Sequence, residues 1–226
     1  MTSLSVIIPL APGEQAYALL LTDLLTLPES TEIIFVDSNR QDAAIAAKML
    51  KKENTQCVTA SPGRAQLLNA GAKVAQGHFL WFLHADSRFA PDTVTALDKA
   101  IAKNPDALLF FDLTFLDDGP RMVKINALGA RFRSRVLGIP FGDQGFCIAK
   151  EIFDRLGGYP EDAAYGEDHL FVWHTKQQGI AVRPIDAALL TSARKYQQHG
   201  WLFLTMKYQV LWLKQAFPQW LKWVSS

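Results

Sequence analysis

Phe-Leu-Trp-Phe-Leu-His-Ala-Asp-Ser-Arg, residues 79–88, is the stretch that decides the fold, because an apolar run stops there at a carboxylate. A run that is apolar at successive positions is typical of a parallel strand covered on both faces. Ligands of open α/β sheets bind beyond the carboxyl ends of the strands, so we expect Asp86 at a metal or substrate site. The alternative is that Asp86 starts a turn and caps the helix that follows Pro91.

Strands and helices alternate in the chain before this stretch. Short runs rich in β-branched residues predict strands at residues 5–9 and 32–37, and a weaker one at 57–59. Helices are predicted at residues 15–27, 42–52 and 64–75, with Gly77 as the C-cap of the third. This order predicts an α/β fold with a mostly parallel sheet and right-handed crossovers.

The second half of the chain follows a different pattern. Residues 108–116 predict a strand, with an antiparallel edge position as one option, and residues 117–120 predict a turn. Helices are predicted at 121–137, 151–156 and 168–178, and short strands at 144–149 and 181–183. An aromatic-rich helix follows from Trp201, and Pro218 is expected to break it. Since no repeat, low-complexity linker or step in composition divides the sequence, we predict one domain over residues 1–226.

The composition is that of an ordinary globular protein: of 226 residues, 49% are hydrophobic and 20% are charged. A net charge of +1 without a Lys/Arg-rich tract argues against a nucleic-acid partner. Cys57 and Cys147 lie far apart, which predicts free thiols in a reducing compartment and argues against a zinc site. Residues 4–10 lack the features of a signal peptide, and no stretch approaches the roughly 20 apolar residues of a membrane span. A cytoplasmic protein is therefore expected.

Acidic residues follow several of the predicted strands. Glu14, Asp37 and Asp86 lie at strand ends or in the loops after them, and Glu167 and Asp168 start a later helix. We expect these acids to converge, because the carboxyl ends of parallel strands share one edge of a sheet. A carboxylate suits Mg²⁺ or Mn²⁺, which take further ligands from water and phosphates. The alternative for the Glu167-Asp168 pair is a purely structural one, stabilisation of a helix dipole.

The order of these motifs resembles that of the family 2 glycosyltransferases, which have a GT-A fold. A bacterial subgroup, often encoded beside radical-SAM and selenium-domain proteins, is more similar still, through its His-Ala-Asp metal motif. The resemblance covers nearly the whole chain. Its motifs are Val6-Ile7-Ile8-Pro9, Glu14, Ile33-Ile34-Phe35-Val36-Asp37, Gly63-Arg64-Ala65, Asn69-Ala70-Gly71, Phe82-Leu83-His84-Ala85-Asp86, Gly142-Asp143-Gln144, Gly166-Glu167-Asp168, Thr191-Ser192-Ala193-Arg194-Lys195-Tyr196 and His199-Gly200.

The resemblance implies a Rossmann-like GT-A sheet and a divalent-metal-dependent, inverting transfer of sugar from a nucleoside-diphosphate sugar to an unidentified acceptor. It implies that Asp86 binds Mg²⁺ or Mn²⁺, that Asp37 contacts the nucleotide base, and that Asp168 is the general base, with Glu167 beside it. Such a reaction needs a cation for the leaving diphosphate and a carboxylate for the proton of the attacking hydroxyl. The donor-binding residues expected on these grounds are Pro9, Glu14, Asp37, Arg64, Asn69, Asp86 and Arg194.

The same resemblance divides the single domain by function. A nucleotide-binding half is expected at residues 1–115, an acceptor and catalytic half at 116–200, and a helical tail at 201–226. Arg194 and Lys195 would face the diphosphate from a late loop; the alternative is a solvated basic loop. Arg131 and Arg135 lie four residues apart and are expected on one solvated helical face, with an anionic acceptor as the less favoured use.

Three positions depart from the family pattern. His84 replaces the first acid of the D-x-D motif, which leaves Asp86 as the carboxylate on the metal. Residues 11–14, Ala-Pro-Gly-Glu, replace the Asn-Glu expected after the first strand, and residues 37–40, Asp-Ser-Asn-Arg, replace the usual turn after the second. Two rivals therefore stay open: a non-catalytic nucleotide-sugar binder, and a nucleotidyltransferase. The second would need a glycine-rich, basic signature that residues 11–14 do not supply.

Tryptophans concentrate in the tail. We expect them to pack on the domain or on a second subunit, because the lysines of the tail are spaced as a polar stripe. The alternative is a peripheral contact with the inner face of a membrane, which would suit a lipid-linked acceptor. The residues are Trp201, Trp212, Trp220 and Trp223, with Lys207, Lys214 and Lys222.

Overall fold

The apolar runs form the strands of one sheet in the structure, a computed structural model that describes residues 3–224. The strands are β1 (Leu4–Pro9), β2 (Glu32–Asp37), β3 (Thr55–Thr59), β4 (Phe79–Phe82), β5 (Leu108–Phe115), β6 (Cys147–Ala149) and β7 (Val182–Thr191). The helices are α1 (Tyr17–Leu24), α2 (Asp42–Leu50), α3 (Arg64–Val74), α4 (Pro91–Lys103), α5 (Val123–Val136), α6 (Lys150–Arg155), α7 (Glu167–Gln177), α8 (Arg194–His199) and α9 (Trp201–Val224). A single 3₁₀ turn covers Gly142–Gln144 in the part of the chain that the structure describes.

The strand order is β3-β2-β1-β4-β6-β5-β7, and β6 runs antiparallel to both of its neighbours. The other strands run parallel to one another, so the prediction of a mostly parallel α/β sheet is confirmed. β1 pairs with β2 on one side and with β4 on the other, and the chain leaves the ends of β1 and β4 in opposite directions. Such a divergence opens a crevice at the carboxyl edge of the sheet.

Both faces of the sheet are covered, which explains why its strands are apolar at successive positions. Alternate residues of β1 point to opposite faces: Val6 and Ile8 pack with α1, α2 and α4, whereas Ile7 packs with α3, α6 and α7. The same alternation places Phe35 on the first face and Ile34 on the second. The two hydrophobic cores hold the sheet rigidly under the crevice.

The last two strands differ from the expectations. The option of an antiparallel edge for residues 108–116 is wrong, because β5 lies inside the sheet and β7 pairs in parallel along its outer side. Only residues 181–183 of β7 were expected, although the strand extends to Thr191. As an edge strand, β7 is only half covered and carries polar residues such as Arg183 and Asp186, which obscure the apolar pattern.

Three local expectations about helices are also corrected. Ala75, not Gly77, is the C-cap of α3; Gly77 instead lies against β1, where a Cβ atom would be 2.6 Å from the backbone nitrogen of Ser5. The expected late loop at Arg194 is helix α8. Pro218 does not break α9, which continues to Val224. Pro218 is exposed, so water can satisfy the carbonyl group that loses its helical partner.

The close packing of α3 on the sheet gives a test of the fold. A Cβ atom at Gly71 would lie 2.6 Å from Cγ2 of Ile7 and 3.0 Å from Cγ2 of Val36. We therefore expect Gly71→Ala to lower the free energy of unfolding by about 1–3 kcal/mol, as overpacking does. Urea denaturation measures this change.

Gly129 provides the matched control, because it lies on the exposed side of α5 with open space around its Cα hydrogen. Gly129→Ala should stabilise the protein by about 0.5–1 kcal/mol, since alanine has the higher helix propensity. Equal effects of the two substitutions would contradict the tight approach of α3 to the sheet.

Candidate active site

Two cavities open at the carboxyl edge of the sheet, side by side. The first, which we call the β1–β4 cavity, has a volume of about 330 Å³, and its walls contain Pro9 and charged residues such as Glu14 and Arg64. The second, the aromatic cavity, has a volume of about 350 Å³. Its walls contain Phe115, Phe141, Tyr165, Tyr196, Tyr208, Leu211 and Trp212, with Asp143 and Asp168 among them. The cavities share four lining residues, His84, Asp86, Ser192 and Lys195.

Asp86 stands at the junction of the two cavities because of the way β4 ends. The amide of Leu83 still donates to the carbonyl of Ile7 in β1, and the next residues turn away from the sheet. The alternative that Asp86 caps the following helix is wrong, because Ala90 is the N-cap of α4. Burial raises the pKa of Asp86 and Glu14 raises it further, while the nearby charges of Lys195 and Arg194 act in the opposite direction.

Basic side chains line the β1–β4 cavity from two helices. Arg64 begins α3 and pairs through its Nε with Glu167 Oε1, at 2.9 Å. Its Nη2 donates to Nε2 of His84. Burial, Arg64 and Lys195 all lower the pKa of His84, so its ring is neutral and accepts this hydrogen bond. The cavity therefore presents positive charge and suits an anionic ligand.

Helix α8 brings Arg194 and Lys195 to the same place, and a turn anchors its start. The carboxylate of Asp118 accepts hydrogen bonds from Ser192 Oγ, at 2.6 Å, and from the amide of Ala193, at 2.7 Å. Ser192 Oγ in turn accepts a hydrogen bond of 2.9 Å from Nε of Arg194. The basic pair thus lies on a short helix and not on a loop; both side chains line the cavity and are exposed to solvent.

Asp168 faces the aromatic cavity from the start of α7. Its Oδ2 accepts a hydrogen bond of 2.5 Å from the amide of Gly142, and its Oδ1 accepts one of 2.8 Å from the amide of His169. A side chain at position 142 would not fit, because a Cβ atom there would lie 2.9 Å from Asp168 Oδ2. Glu167 lines neither cavity and pairs with Arg64; burial and then Asp168 raise its pKa.

Asp143 is a site residue to which the sequence analysis gave no role. It lines the aromatic cavity, and its Oδ1 is buried without a hydrogen-bond partner within the described residues. Burial raises its pKa to about 6, and Asp168 contributes in the same direction, whereas Arg133 opposes the shift. Nε1 of Trp212 is likewise buried without a partner in residues 3–224 and lines the same cavity. Unpartnered polar atoms in a cavity wall suit a polar ligand.

Two of the expected donor-binding residues lie outside the cavity walls. Asp37 is 1% exposed, and its carboxylate accepts hydrogen bonds from the amides of Arg40 and Ala43, which hold the turn into α2. Asn69 bonds to both the amide and the carbonyl of Tyr159, and its amide also donates to Glu161. The others, Pro9, Glu14, Arg64, Asp86 and Arg194, line the β1–β4 cavity.

The tail completes the aromatic cavity. Nδ1 of His169 donates to Oε1 of Gln215 in α9, at 2.7 Å, and Nε1 of Trp173 donates to Nε2 of the same imidazole, at 2.8 Å. Nε2 of Gln215 donates to the carbonyl of Tyr165, at 2.8 Å. These bonds hold the inner face of α9 against the start of α7.

The expected packing of the tail tryptophans is found for part of the set. Trp201 donates from Nε1 to Asn126 at 2.6 Å, and Trp212 packs on the core. The ring of Trp223 lies 6.5 Å from that of Trp173 but remains 43% exposed. Trp220 is 46% exposed and its ring stacks on Phe217 of the same helix, so its packing on the domain or on a second subunit stays a prediction. The inner face of α9 therefore packs on the domain, whereas its outer face is exposed.

Few side chains at this site could bind a metal ion. Among residues 3–224 no group of three His, Cys, Asp or Glu side chains is arranged to hold a metal. Asp86 offers one carboxylate, and His84 uses Nε2 to accept from Arg64. This set fits Mg²⁺ or Mn²⁺ only in the mode in which one carboxylate binds the ion and phosphate or water oxygens complete its shell.

Known structures share this GT-A fold. Mannosyltransferase PcManGT from Pyrobaculum calidifontis, in complex with GDP-Man and Mn²⁺, has a TM-score of 0.73 and 20% identity over 96% of this chain and 64% of its own. S. aureus TarS 1-349 has a TM-score of 0.67 and 20% identity over 84% of this chain and 60% of its own. This chain therefore spans less than two thirds of either protein. No curated protein matches the sequence.

The sequence itself gives the family. Residues 5–158 match the family model for glycosyl transferase family 2, which is more than half of the chain. The protein belongs to glycosyl transferase family 2.

The raised pKa of Asp143 predicts how stability depends on pH. The carboxyl titrates near pH 3.8 in the unfolded chain and at about 6 in the folded protein. Between these values the folded protein holds a proton that the unfolded chain releases, so stability falls as pH rises. Asp143→Asn lacks this titration and should gain roughly 2–3 kcal/mol relative to the wild type between about pH 4 and about pH 7. Urea denaturation across this range measures the gain.

Asp106→Asn is the control for this experiment, because Asp106 is exposed in the turn before β5. Its stability should follow that of the wild type at each pH. A constant difference between Asp143→Asn and the wild type across the range would contradict the burial of the Asp143 carboxyl.

Proposed function

We propose that the protein transfers a sugar from a nucleoside-diphosphate sugar in the β1–β4 cavity to a hydroxyl group in the aromatic cavity. One observation carries this proposal: the two cavities meet at Asp86, with basic residues on one side and the Asp168 carboxylate on the other. A transferase that joins an anionic donor to a neutral acceptor needs this division of charge. The mannosyltransferase binds GDP-Man, and TarS has been solved with UDP-GlcNAc, which supports a nucleotide-sugar donor of either base.

The donor diphosphate would lie against Arg64, Arg194 and Lys195, which point into the cavity from α3 and α8. Pro9 and Glu14 bound the side formed by the loop after β1. Asp37 would contact the nucleotide base, which its place at the end of β2 supports. The next residue, Ser38, lines the wall of the cavity. Asn69 would act from a distance, by fixing residues 159–161.

Asp86 would hold Mg²⁺ or Mn²⁺ together with the diphosphate oxygens. The ion would supply positive charge to the leaving diphosphate. Arg194 and Lys195 would share this task, because both line the same cavity as Asp86. The presence of Mn²⁺ in the structure of the mannosyltransferase supports a divalent ion here.

Asp168 would accept the proton of the attacking hydroxyl. Both of its oxygens accept backbone hydrogen bonds, which fix the carboxylate at the wall of the aromatic cavity. The hydroxyl would approach from that cavity while the diphosphate leaves into the other, on the opposite side of the shared wall. This arrangement supports a single displacement with inversion. Glu167 would position Arg64 through their ion pair and so act on the donor side.

The aromatic cavity suits an acceptor whose hydroxyl is attached to a sugar ring or to an apolar chain. Aromatic rings stack on sugars and also bury apolar groups. Oδ1 of Asp143 and Nε1 of Trp212 would satisfy polar atoms of the acceptor. A lipid-linked acceptor fits this lining. We also propose that the protein is a member of the bacterial subgroup that is often encoded beside radical-SAM proteins.

The role of Asp86 predicts a loss of coupling between metal and nucleotide. In the wild type, a nucleoside diphosphate at about 100 times its dissociation constant should stabilise the fold by roughly 2.7 kcal/mol when Mn²⁺ is present. Asp86→Ala should abolish the Mn²⁺-dependent part of this gain, because its carboxylate would be the protein ligand of the ion. Thermal unfolding with UDP or GDP, with and without Mn²⁺, measures it.

Asp106→Ala serves as the control, since Asp106 is exposed and away from both cavities. It should respond to Mn²⁺ as the wild type does. If Asp86→Ala also keeps the full Mn²⁺ response, the assignment of the metal to Asp86 is wrong.

The role of Asp168 predicts a loss of catalysis with retained donor binding. Asp168→Asn removes the proton acceptor and should lower turnover by roughly 100-fold to 10,000-fold, the range of general-base catalysis. Nucleotide-dependent stabilisation should survive. Asparagine keeps only one of the two oxygens that accept hydrogen bonds from backbone amides. The free energy of unfolding of the variant is therefore measured together with its turnover.

Glu167→Gln is the companion variant. It should weaken donor binding through Arg64 and reduce turnover less than Asp168→Asn. If Asp168→Asn turns over the true acceptor at a rate near that of the wild type, Asp168 is not the general base. The Glu167-Asp168 pair would then only stabilise the start of its helix. Donor binding without any transfer or hydrolysis by the wild type would favour the non-catalytic nucleotide-sugar binder.

A further inference from the structure

The outer face of α9 is apolar along its length and lies outside the cores. Phe203, Met206, Val210, Leu213 and Phe217 recur every three or four residues, and each is 46–65% exposed. This spacing places them on one face of the helix. The opposite face is occupied by the domain, with Leu204 and Ala216 buried. The exposed stripe is therefore not a side effect of a loosely docked helix.

A second exposed apolar face belongs to α5, which contacts the beginning of α9. Ile125, Leu128 and Phe132 on α5 are each more than half exposed. Asn126 joins the two helices, because it donates to Oγ1 of Thr205 at 3.0 Å and accepts from Nε1 of Trp201 at 2.6 Å. Exposed apolar area of this extent marks an interaction surface in a folded protein.

The two segments that contain these helices carry charge of one sign, and within α5 Arg131 and Arg135 form ion pairs with Asp112 and Asp186. Residues 119–142, which contain α5, include five Lys or Arg residues and no Asp or Glu. Residues 187–226, which contain α9, also include five and no acid. The whole chain has a net charge of only +1, so basic charge is concentrated in these two segments. Lys207 and Lys214 are exposed at the border of the α9 stripe.

We propose that the outer face of α9 lies on the surface of an anionic lipid bilayer. An amphipathic helix with an apolar stripe, aromatic residues and flanking lysines binds at the level of the lipid headgroups. No helix within residues 3–224 has the length and apolarity to cross a bilayer, so the contact is with its surface. This proposal does not rest on the glycosyl transfer described above.

Charge decides between a membrane and a second copy of the chain. A two-fold interface through α9 would bring two acid-free, lysine-bordered surfaces together, and like charges across an interface cost affinity. Anionic headgroups instead complement those lysines. The position of α9 also gives the contact a use, because Tyr208, Leu211 and Trp212 of the same helix line the aromatic cavity. A bilayer under the outer face would bring a lipid-linked hydroxyl close to that cavity.

Sedimentation with vesicles tests the proposal. The full chain should bind phosphatidylcholine vesicles that contain about 30 mol% phosphatidylglycerol, and bind pure phosphatidylcholine far less. The double variant Leu213→Gln/Phe217→Gln should lower the partition coefficient at least about tenfold, because both side chains are exposed and would enter the headgroup region. Lys207→Gln and Lys214→Gln should each lower binding to the anionic vesicles about fivefold.

A matched control removes as much exposed apolar surface elsewhere. Leu19 in α1 and Met49 in α2 are 59% and 54% exposed, and these helices pack on the sheet face opposite α9. Leu19→Gln/Met49→Gln should bind vesicles like the wild type. Thermal unfolding of all variants checks that the fold is retained.

Three results would overturn the proposal. The first is an absence of binding to the anionic vesicles by a folded wild type. The second is equal binding by the α9 variant and its control. The third is a dimer in sedimentation velocity that Leu213→Gln/Phe217→Gln dissociates, since that would assign the stripe to a second copy. Because vesicle binding needs neither donor nor acceptor, these results are independent of the outcome for Asp168.

Discussion

The guanidinium of Arg64 connects three parts of the site, and the arrangement of the others depends on it. Arg64 begins α3, donates to His84 after β4, and pairs with Glu167 at the start of α7. A guanidinium is always charged, so this one side chain can both donate to the His84 ring and attract the Glu167 carboxylate, which ties these elements together. Asp86 and Asp168 follow closely along the chain from the residues that Arg64 holds, at the junction of the cavities and at the wall of the aromatic one. Loss of this one side chain would leave the acid of Glu167 buried without its partner.

Arg64 also gives a physical reason for the histidine at position 84, where the family pattern has an acid. A carboxylate there would cancel the charge of the guanidinium, whereas a neutral imidazole accepts the hydrogen bond and leaves the charge in place. Burial and the adjacent cations lower the pKa of His84 and keep it neutral. The β1–β4 cavity therefore holds the charges of Arg64, Arg194 and Lys195 against the acids Glu14 and Asp86. Three cations against two acids leave a positive balance, which favours an anionic ligand.

The two faces of α9 have different tasks in the structure. Its inner face reaches α7 through Gln215 and His169. Burial lowers the pKa of that imidazole, and because Nε2 accepts a hydrogen bond from Trp173, Nδ1 is the nitrogen that donates to Oε1 of Gln215. Gly166, just before α7, adopts a left-handed conformation with φ of 63°, and a Cβ atom there would meet the Gln215 side chain at 2.4 Å. The aromatic cavity thus depends on the tail, although the family match ends at residue 158. The outer face is exposed and packs on neither of the two cores.

The sequence by itself determined the strands whose two faces are both buried. β1, β2 and β4 are apolar at successive positions, so their place in a parallel sheet and the position of Asp86 beyond β4 could be predicted from local pattern alone. β7 could not, because an edge strand is half polar, and neither could the continuation of α9 through Pro218, which depends on exposure of that turn. Only the tertiary structure decided that Asp143 faces a cavity and that Asp37 and Asn69 turn to backbone groups instead. Residue type and spacing record which side chains can bind a ligand, but which of them find a partner inside the protein depends on contacts between segments distant in sequence.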